Sequence, residues 1–281
     1  MFKQLFKNNP LKAEMNFFDH LEELRWHIIR SLAAIVVAGI ICFIKIHFIY
    51  ERIIMGPTRH DFITYRILCG IGHRLGLGDR LCLPDAPVKF QSMQLSGQFM
   101  QAFSSSFTFA FIIAAPYILY EFWRFVKPAL KPGELKYTRG VVFWTSLLFF
   151  MGVAFGYFMI APYTVNFFAS YQLSESIENI ITIQSYMSTL SQLVMGCGAL
   201  FELPVLVYFL AKVGILTSAF LKKYRRHAFV IILVIAAFIS PPDVASQFIV
   251  TLPLYLLFEV SISIAKRMEK QRAEEDAAEW S

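Results

Sequence analysis

The sequence predicts an all-α integral membrane protein, a single polytopic domain over 1–281, and three observations carry that reading. The 281 residues are 57% hydrophobic and only 16% charged, with mean hydropathy +0.54, too apolar for an ordinary soluble domain. Lys and Arg are absent from Val141–Ala211 and from Ala228–Ala265, so the net charge of +6 is gathered between apolar runs. Such segregation reports membrane topology and argues against nucleic-acid binding. Finally, about six runs approach the roughly 20 apolar residues needed to cross hydrocarbon.

The N-terminal segment 1–27 is basic and amphipathic and lacks the apolar core and small-residue cleavage site of a removable signal. The first run, Ile28–Phe48, is therefore expected as a retained span, with Lys45 and His47 snorkelling at its far end. Residues 49–102 form a long loop. The second span is expected over Phe103–Phe125 with Pro116 inside it, the third over the uncharged Val141–Ile160, and the fourth over Thr189–Ala211. The fifth run, Ala228–Ile239, reaches only about 18–20 Å against roughly 30 Å of hydrocarbon. Pro241-Pro242-Asp243 then stops the helix and a sixth run follows over Val244–Ala265. The pair reads as a hairpin with one short limb, a mismatch relieved by bilayer thinning or by packing. Basic residues before the first span, in the second–third and fourth–fifth loops and in the tail 266–281 place both termini in the cytoplasm. The first outer loop, with Arg52, Arg59, Arg66, Arg74, Arg80 and Lys89, is the exception.

Four stretches carry candidate chemistry. In Asn16–Arg30, Asp19 or Asn16 can cap a helix that presents Glu22 or Glu23 to a cationic ligand. A plain juxtamembrane amphipathic helix is the alternative. Ala114–Glu134 leaves the second span through the interfacial aromatics Tyr120 and Trp123, turns at Pro128 and Pro132, and ends on Glu134 in a basic loop. Glu202, two residues before Pro204, is a carboxylate in an apolar run. It costs at least about 2.5–3.5 kcal/mol on insertion scales, which makes it a functional-site candidate or a neutral group bonded to a neighbouring helix. In Ser240–Gln247, Asp243 can cap the last helix and Gln247 needs a partner inside the membrane.

No HExxH, GxSxG, phosphate loop or membrane aspartyl-protease pair is present, and neither the Cys nor the scattered His spacing suggests a metal. Neither an enzyme nor a cofactor is expected. A proton-coupled small-solute transporter using Glu202 is the rival function, but no matched broken repeats are visible.

In that order, "DHLEELR", "APYILYEFWRFVKPAL…GE", "FELPV" and "SPPDVASQ" resemble the TatC family, the core subunit of the bacterial twin-arginine protein translocase. The resemblance spans about Phe17 to Lys266. It implies six helices in a cup, the fifth and sixth short, both termini cytoplasmic, in the bacterial cytoplasmic (inner) membrane. It implies a receptor for twin-arginine signal peptides that exports folded proteins on the proton-motive force. Its implied partners are TatA-type and often TatB-type single-span subunits within an oligomer, homo- or hetero-. Residue by residue, it implies signal-peptide binding by Glu23, Leu24, Arg25, Phe125, Pro128 and Glu134, and polar partner contacts by Glu202, Asp243 and Gln247. The first outer loop looks longer than the family's usual form. Cys69 and Cys82, thirteen positions apart within it, are expected as a disulfide worth about 3 kcal/mol of loop constraint, with two free thiols as the alternative.

Overall fold

The computed structural model describes residues 17–59, 61–74, 76, 90–126, 138–174, 179–240 and 244–279. Helix α1 (Phe17–Ile44) is followed by a short α2 (Ile46–Ile49), a π turn (Tyr50–Ile54) and a loop helix α3 (Ile63–Arg74). Then come strand β1 (Phe90–Gln91), α4 (Gly97–Val126), α5 (Thr138–Phe155), a second π turn (Gly156–Ile160) and α6 (Ala161–Ser170). Strand β2 (Ile181–Thr182), α7 (Ile183–Phe201), α8 (Leu203–Val213), α9 (Ser218–Lys223), α10 (Arg225–Ile239) and α11 (Val244–Glu279) complete the chain.

Five continuous segments among the described residues are long and apolar enough to cross a membrane: Glu22–Ile44, Gly97–Val126, Gly140–Ser170, Ile183–Val213 and Ser246–Glu274. Their outward faces are apolar. On α1, Ile28, Leu32, Val36, Ile40 and Ile44 are all exposed, as a lipid-facing surface requires. The expected fifth run is α10, with 15 residues, below the length of an independent span. The expectation of a short sixth helix is corrected. Helix α11 has 36 residues and runs through the segment assigned to a separate tail. Residues 266–279 are Lys, Arg, Glu, Gln, Ala and Met almost throughout. Such straight-chain residues hold helix without an apolar face, helped by Lys270–Glu274 at 3.6 Å.

Helix α1 packs along α4, α5 along α7, and α8 along α11. The crossing of α5 and its π turn with α7 is close because Gly152 lies against Gly198 and Gly156, four residues on, lies against Leu193, Val194 and Cys197, a spacing that lets helix backbones approach in membranes. The main core lies towards the end away from the termini, where Ile54, Ile160, Met187, Leu193 and Val250 are almost fully enclosed. At that end tyrosine hydroxyls satisfy the carbonyls left open by the π turn. Tyr157 donates to the Ile53 carbonyl at 2.5 Å and Tyr186 to that of Ile54 at 2.5 Å. Thr64 of α3 donates to the Phe158 carbonyl. Tyr65 donates to that of Pro57 at 2.8 Å, and burial pushes its hydroxyl up to about 12, so it stays a donor. A parallel β1–β2 pair, Phe90 against Ile181, ties the segment before α4 to the segment before α7.

The terminal end is tied by α11. Glu269 accepts from the Ser218 backbone N–H at 2.6 Å and from its hydroxyl at 2.5 Å. A small core of Ala211, Leu221, Ile262 and Ala265 lies beside this clasp. Helix α8 ends on Gly214 at φ 84°, a left-handed cap that frees the chain to turn into α9. The short α10 is fastened by a fork: Arg225 grips Glu259 of α11 through Nε at 2.8 Å and Nη2 at 2.9 Å, and Tyr255 donates to the same carboxylate at 3.1 Å. Packing on α11 thus compensates for the short limb.

Candidate functional site

Two separated motifs meet where α1 begins and α4 ends. Glu23 and Arg25 are exposed on the first turns of α1, Leu24 is half-buried, and the Arg25 guanidinium lies 5.7 Å from the Trp26 ring centre. Phe125, half-buried in the last turn of α4, meets His27 edge-on at 6.1 Å. Glu23 precedes His27 by one helical turn and shares its face. Trp123 is buried against Tyr208 and Phe209 of α8, which fixes the end of α4 from the other side. Pro128 and Glu134 lie outside the described residues, in the loop between Val126 and Thr138.

A pair that the sequence pattern did not reveal lies beneath this surface. Glu121 of α4 is 2% exposed. Its carboxylate accepts from His27 Nδ1 at 2.5 Å, and Arg30 Nη1 stands 3.8 Å away. Because an ionised carboxylate only accepts, Nδ1 carries the proton. The usable signal was an acid within an apolar span, the same signal that singled out Glu202. Glu121 lies close to Arg124 and the end of the span, and was assigned no role from the sequence. Below it an apolar groove of about 530 Å³ runs between α1 and α4, lined by Arg30, Ala34, Ala38, Ala114 and Tyr117 among others.

Glu202 interrupts the fourth span. It is the turn residue between α7 and α8. Pro204 has no N–H to continue the ladder, while the Glu202 carbonyl takes Val205 and Leu206, both at 3.0 Å. Both carboxylate oxygens are shielded and have no hydrogen-bond partner among the described residues, lying against the backbone of Phe149 on α5. Gln247, which needed a partner, donates to the Leu233 carbonyl of α10 at 3.4 Å, linking the limbs of the hairpin. Asp243 lies outside the described residues.

Between the first two spans Cys69 of α3 is disulfide-bonded, whereas Cys42 and Cys197 are buried free thiols. Cys82 lies outside the described residues. Among the described residues no group of three or more His, Cys, Asp or Glu could hold a metal ion.

Known proteins resemble the chain along most of its length. The family model for the Sec-independent protein translocase protein (TatC) matches residues 19–253. A Sec-independent protein translocase protein TatC from Blattabacterium sp. subsp. Periplaneta americana (strain BPLAN) is 38% identical over 93% of this chain and 98% of its own. One of the same name from Halalkalibacterium halodurans is 32% identical over 94% and 97%. A crystal structure described as the twin arginine translocase receptor TatC in DDM superposes with TM-score 0.68 at 29% identity, covering 88% of this chain and 99% of that one. The chain belongs to the TatC family of Sec-independent protein translocase proteins.

Proposed function

We propose that this protein is the signal-peptide receptor and core membrane component of a translocase that exports folded proteins across the cytoplasmic membrane on the proton-motive force. The observation that carries this reading is the junction of α1 and α4, where the segment bearing Glu23 meets the segment bearing Phe125 through His27. The loop with Pro128 and Glu134 leaves from that same end of α4. In an extended peptide neighbouring side chains point to opposite faces, so two adjacent arginines call for acids on two separate segments. We assign Glu23 and Glu134 to those roles, and Leu24, Arg25, Phe125 and Pro128 to the same binding site. The groove between α1 and α4 continues from this mouth and suits the apolar part of the signal.

On this reading α10 is the fifth of six crossings, both termini face the cytoplasm, and Cys69 pairs with Cys82 on the far side. The partners are TatA-type and TatB-type single-span subunits, in an oligomer with further copies. Family membership leaves the solute-transporter alternative without support.

Purified chain in nanodiscs is expected to bind a twin-arginine signal peptide and to bind its twin-lysine counterpart much more weakly, because Lys cannot make the bidentate fork. Equal affinity for the two peptides, read by fluorescence anisotropy, overturns the receptor assignment.

Glu202, with Asp243 and Gln247, is assigned to polar contacts with partner helices. An unsatisfied buried carboxylate destabilises the isolated chain by roughly 1–3 kcal/mol. Glu202→Met is therefore expected to raise the melting temperature of the purified chain while lowering export and cross-linking to the single-span partner. A variant that melts lower, or one that exports normally, removes Glu202 from the partner interface.

A further inference from the structure

We propose that His27 and Glu121 form a positioning lock for the signal-peptide site, holding the start of α1, with Glu23, against the end of α4, with Phe125. The inference rests on the site assignment above and extends it to two residues that do not themselves touch the peptide.

Three observations support the lock. It is a polar bridge between α1 and α4 near their site-bearing ends, at 2.5 Å, and Arg30 of α1 approaches the same carboxylate oxygen, Oε2, at 3.8 Å. It is placed where order matters, because helix ends fray. Glu23 lies one turn, about 6 Å, before His27 on α1, and Phe125 lies one turn beyond Glu121 on α4 while its ring meets the edge of the imidazole. One imidazole therefore fixes both sides of the mouth. It also adds little stability: two apolar side chains would pack α1 on α4 at least as well as a buried hydrogen-bonded carboxylate. What a directed hydrogen bond adds is a single register and rotation of one helix against the other. Glu121 at 2% exposed is closed to the peptide, so it acts through His27.

The test compares His27→Ala, His27→Asn and the His27→Leu/Glu121→Leu double variant with the parent and with Glu23→Ala. All are reconstituted as full chains, with twin-arginine and twin-lysine peptide affinities and melting temperatures measured. The amide nitrogen of Asn overlays Nδ1, so His27→Asn keeps the bond to Glu121. His27→Ala is expected to lose about tenfold in twin-arginine affinity, the scale of one charge-assisted hydrogen bond, with twin-lysine affinity unchanged, and His27→Asn is expected to recover most of it. The double variant, which buries no orphaned charge, is expected to melt like the parent and still lose twin-arginine selectivity. Parent-like selectivity in His27→Ala and the double variant, or equal loss for both peptides with a lowered melting temperature, overturns the lock if Glu23→Ala still loses binding. Normal binding by Glu23→Ala overturns the site assignment itself, and the lock with it.

Discussion

Replacing Glu23 or Glu134 by Ala is expected to abolish detectable cross-linking to a twin-arginine signal peptide. A guanidinium–carboxylate pair contributes roughly 1.5–3 kcal/mol as a charge-assisted hydrogen bond. Loss of one pair therefore weakens binding by about 10- to 150-fold, and each arginine has a single acid to answer it. The effect is screened to the extent that the site is wet. Glu23 is exposed, so rising salt should weaken the parent's binding as well. Glu22 is the internal control. It is equally exposed and carries the same charge, but it is turned about 100° around α1 from Glu23. Glu22→Ala is expected to bind within a few fold of the parent. Comparable losses from Glu22→Ala and Glu23→Ala would replace the two-acid site with diffuse electrostatic attraction. Normal binding by both Glu23→Ala and Glu134→Ala would remove the site altogether.

Gly152→Val is expected to be the most damaging single change to the fold. A Cβ at Gly152 would stand 2.5 Å from the Cys197 carbonyl oxygen, 2.8 Å from Phe201 Cβ and 2.9 Å from Gly198 Cα. Two of those are backbone atoms that cannot rotate aside, so α5 and α7 must separate. The crossing meets the same limit elsewhere, since a Cβ on Gly156 would lie 2.9 Å from the Leu193 carbonyl and one on Gly198 2.9 Å from the Phe149 ring. Overpacking of this kind costs roughly 1–3 kcal/mol where side chains can yield, and more is expected where backbone must move. The damage should spread, because Phe201 immediately precedes the break at Glu202 and Leu193 and Cys197 belong to the main core. Gly140, with nothing within 4 Å of its Cβ position, supplies the comparison. Gly140→Val should accumulate and melt like the parent, while Gly152→Val should be depleted from membranes and melt lower. Indistinguishable melting of the two variants would mean that the α5–α7 backbones are not in close contact.

Apolar runs and proline positions carried most of the architecture. The long segments are apolar because lipid covers them, the break between α7 and α8 falls at Glu202, just before Pro204, and α10 ends at Ile239, shortly before the Pro-Pro of the sequence. The extension of α11 was hidden for the opposite reason. Beyond Ala265 the helix is held by propensity and by Glu269 and its neighbours packing on α8 and α9, and hydropathy is blind to both. The Gly152/Gly156 spacing was present in the sequence, but whether two glycines mark a crossing depends on the helix that faces them. The His27–Glu121 pair spans 94 positions and neither partner has a local signature of the other. Likewise, the tyrosines that cap the first π turn, 104 and 132 positions from their acceptors, follow from tertiary packing alone. The acids of the proposed site were legible as residue types in an ordered set of motifs. That the segments bearing Glu23 and Phe125 come together is a property of α1 lying along α4.

The most direct measurement of the central claim is export in living cells. A bacterial strain lacking its own TatC, supplied with this chain and its cognate single-span partners, is given a folded reporter behind either an Arg-Arg or a Lys-Lys signal. The account predicts folded reporter outside the cytoplasmic membrane with the Arg-Arg signal, none with Lys-Lys, and none when Glu23→Ala replaces the parent. Export that ignores the arginine pair, or that continues with Glu23→Ala, would contradict it.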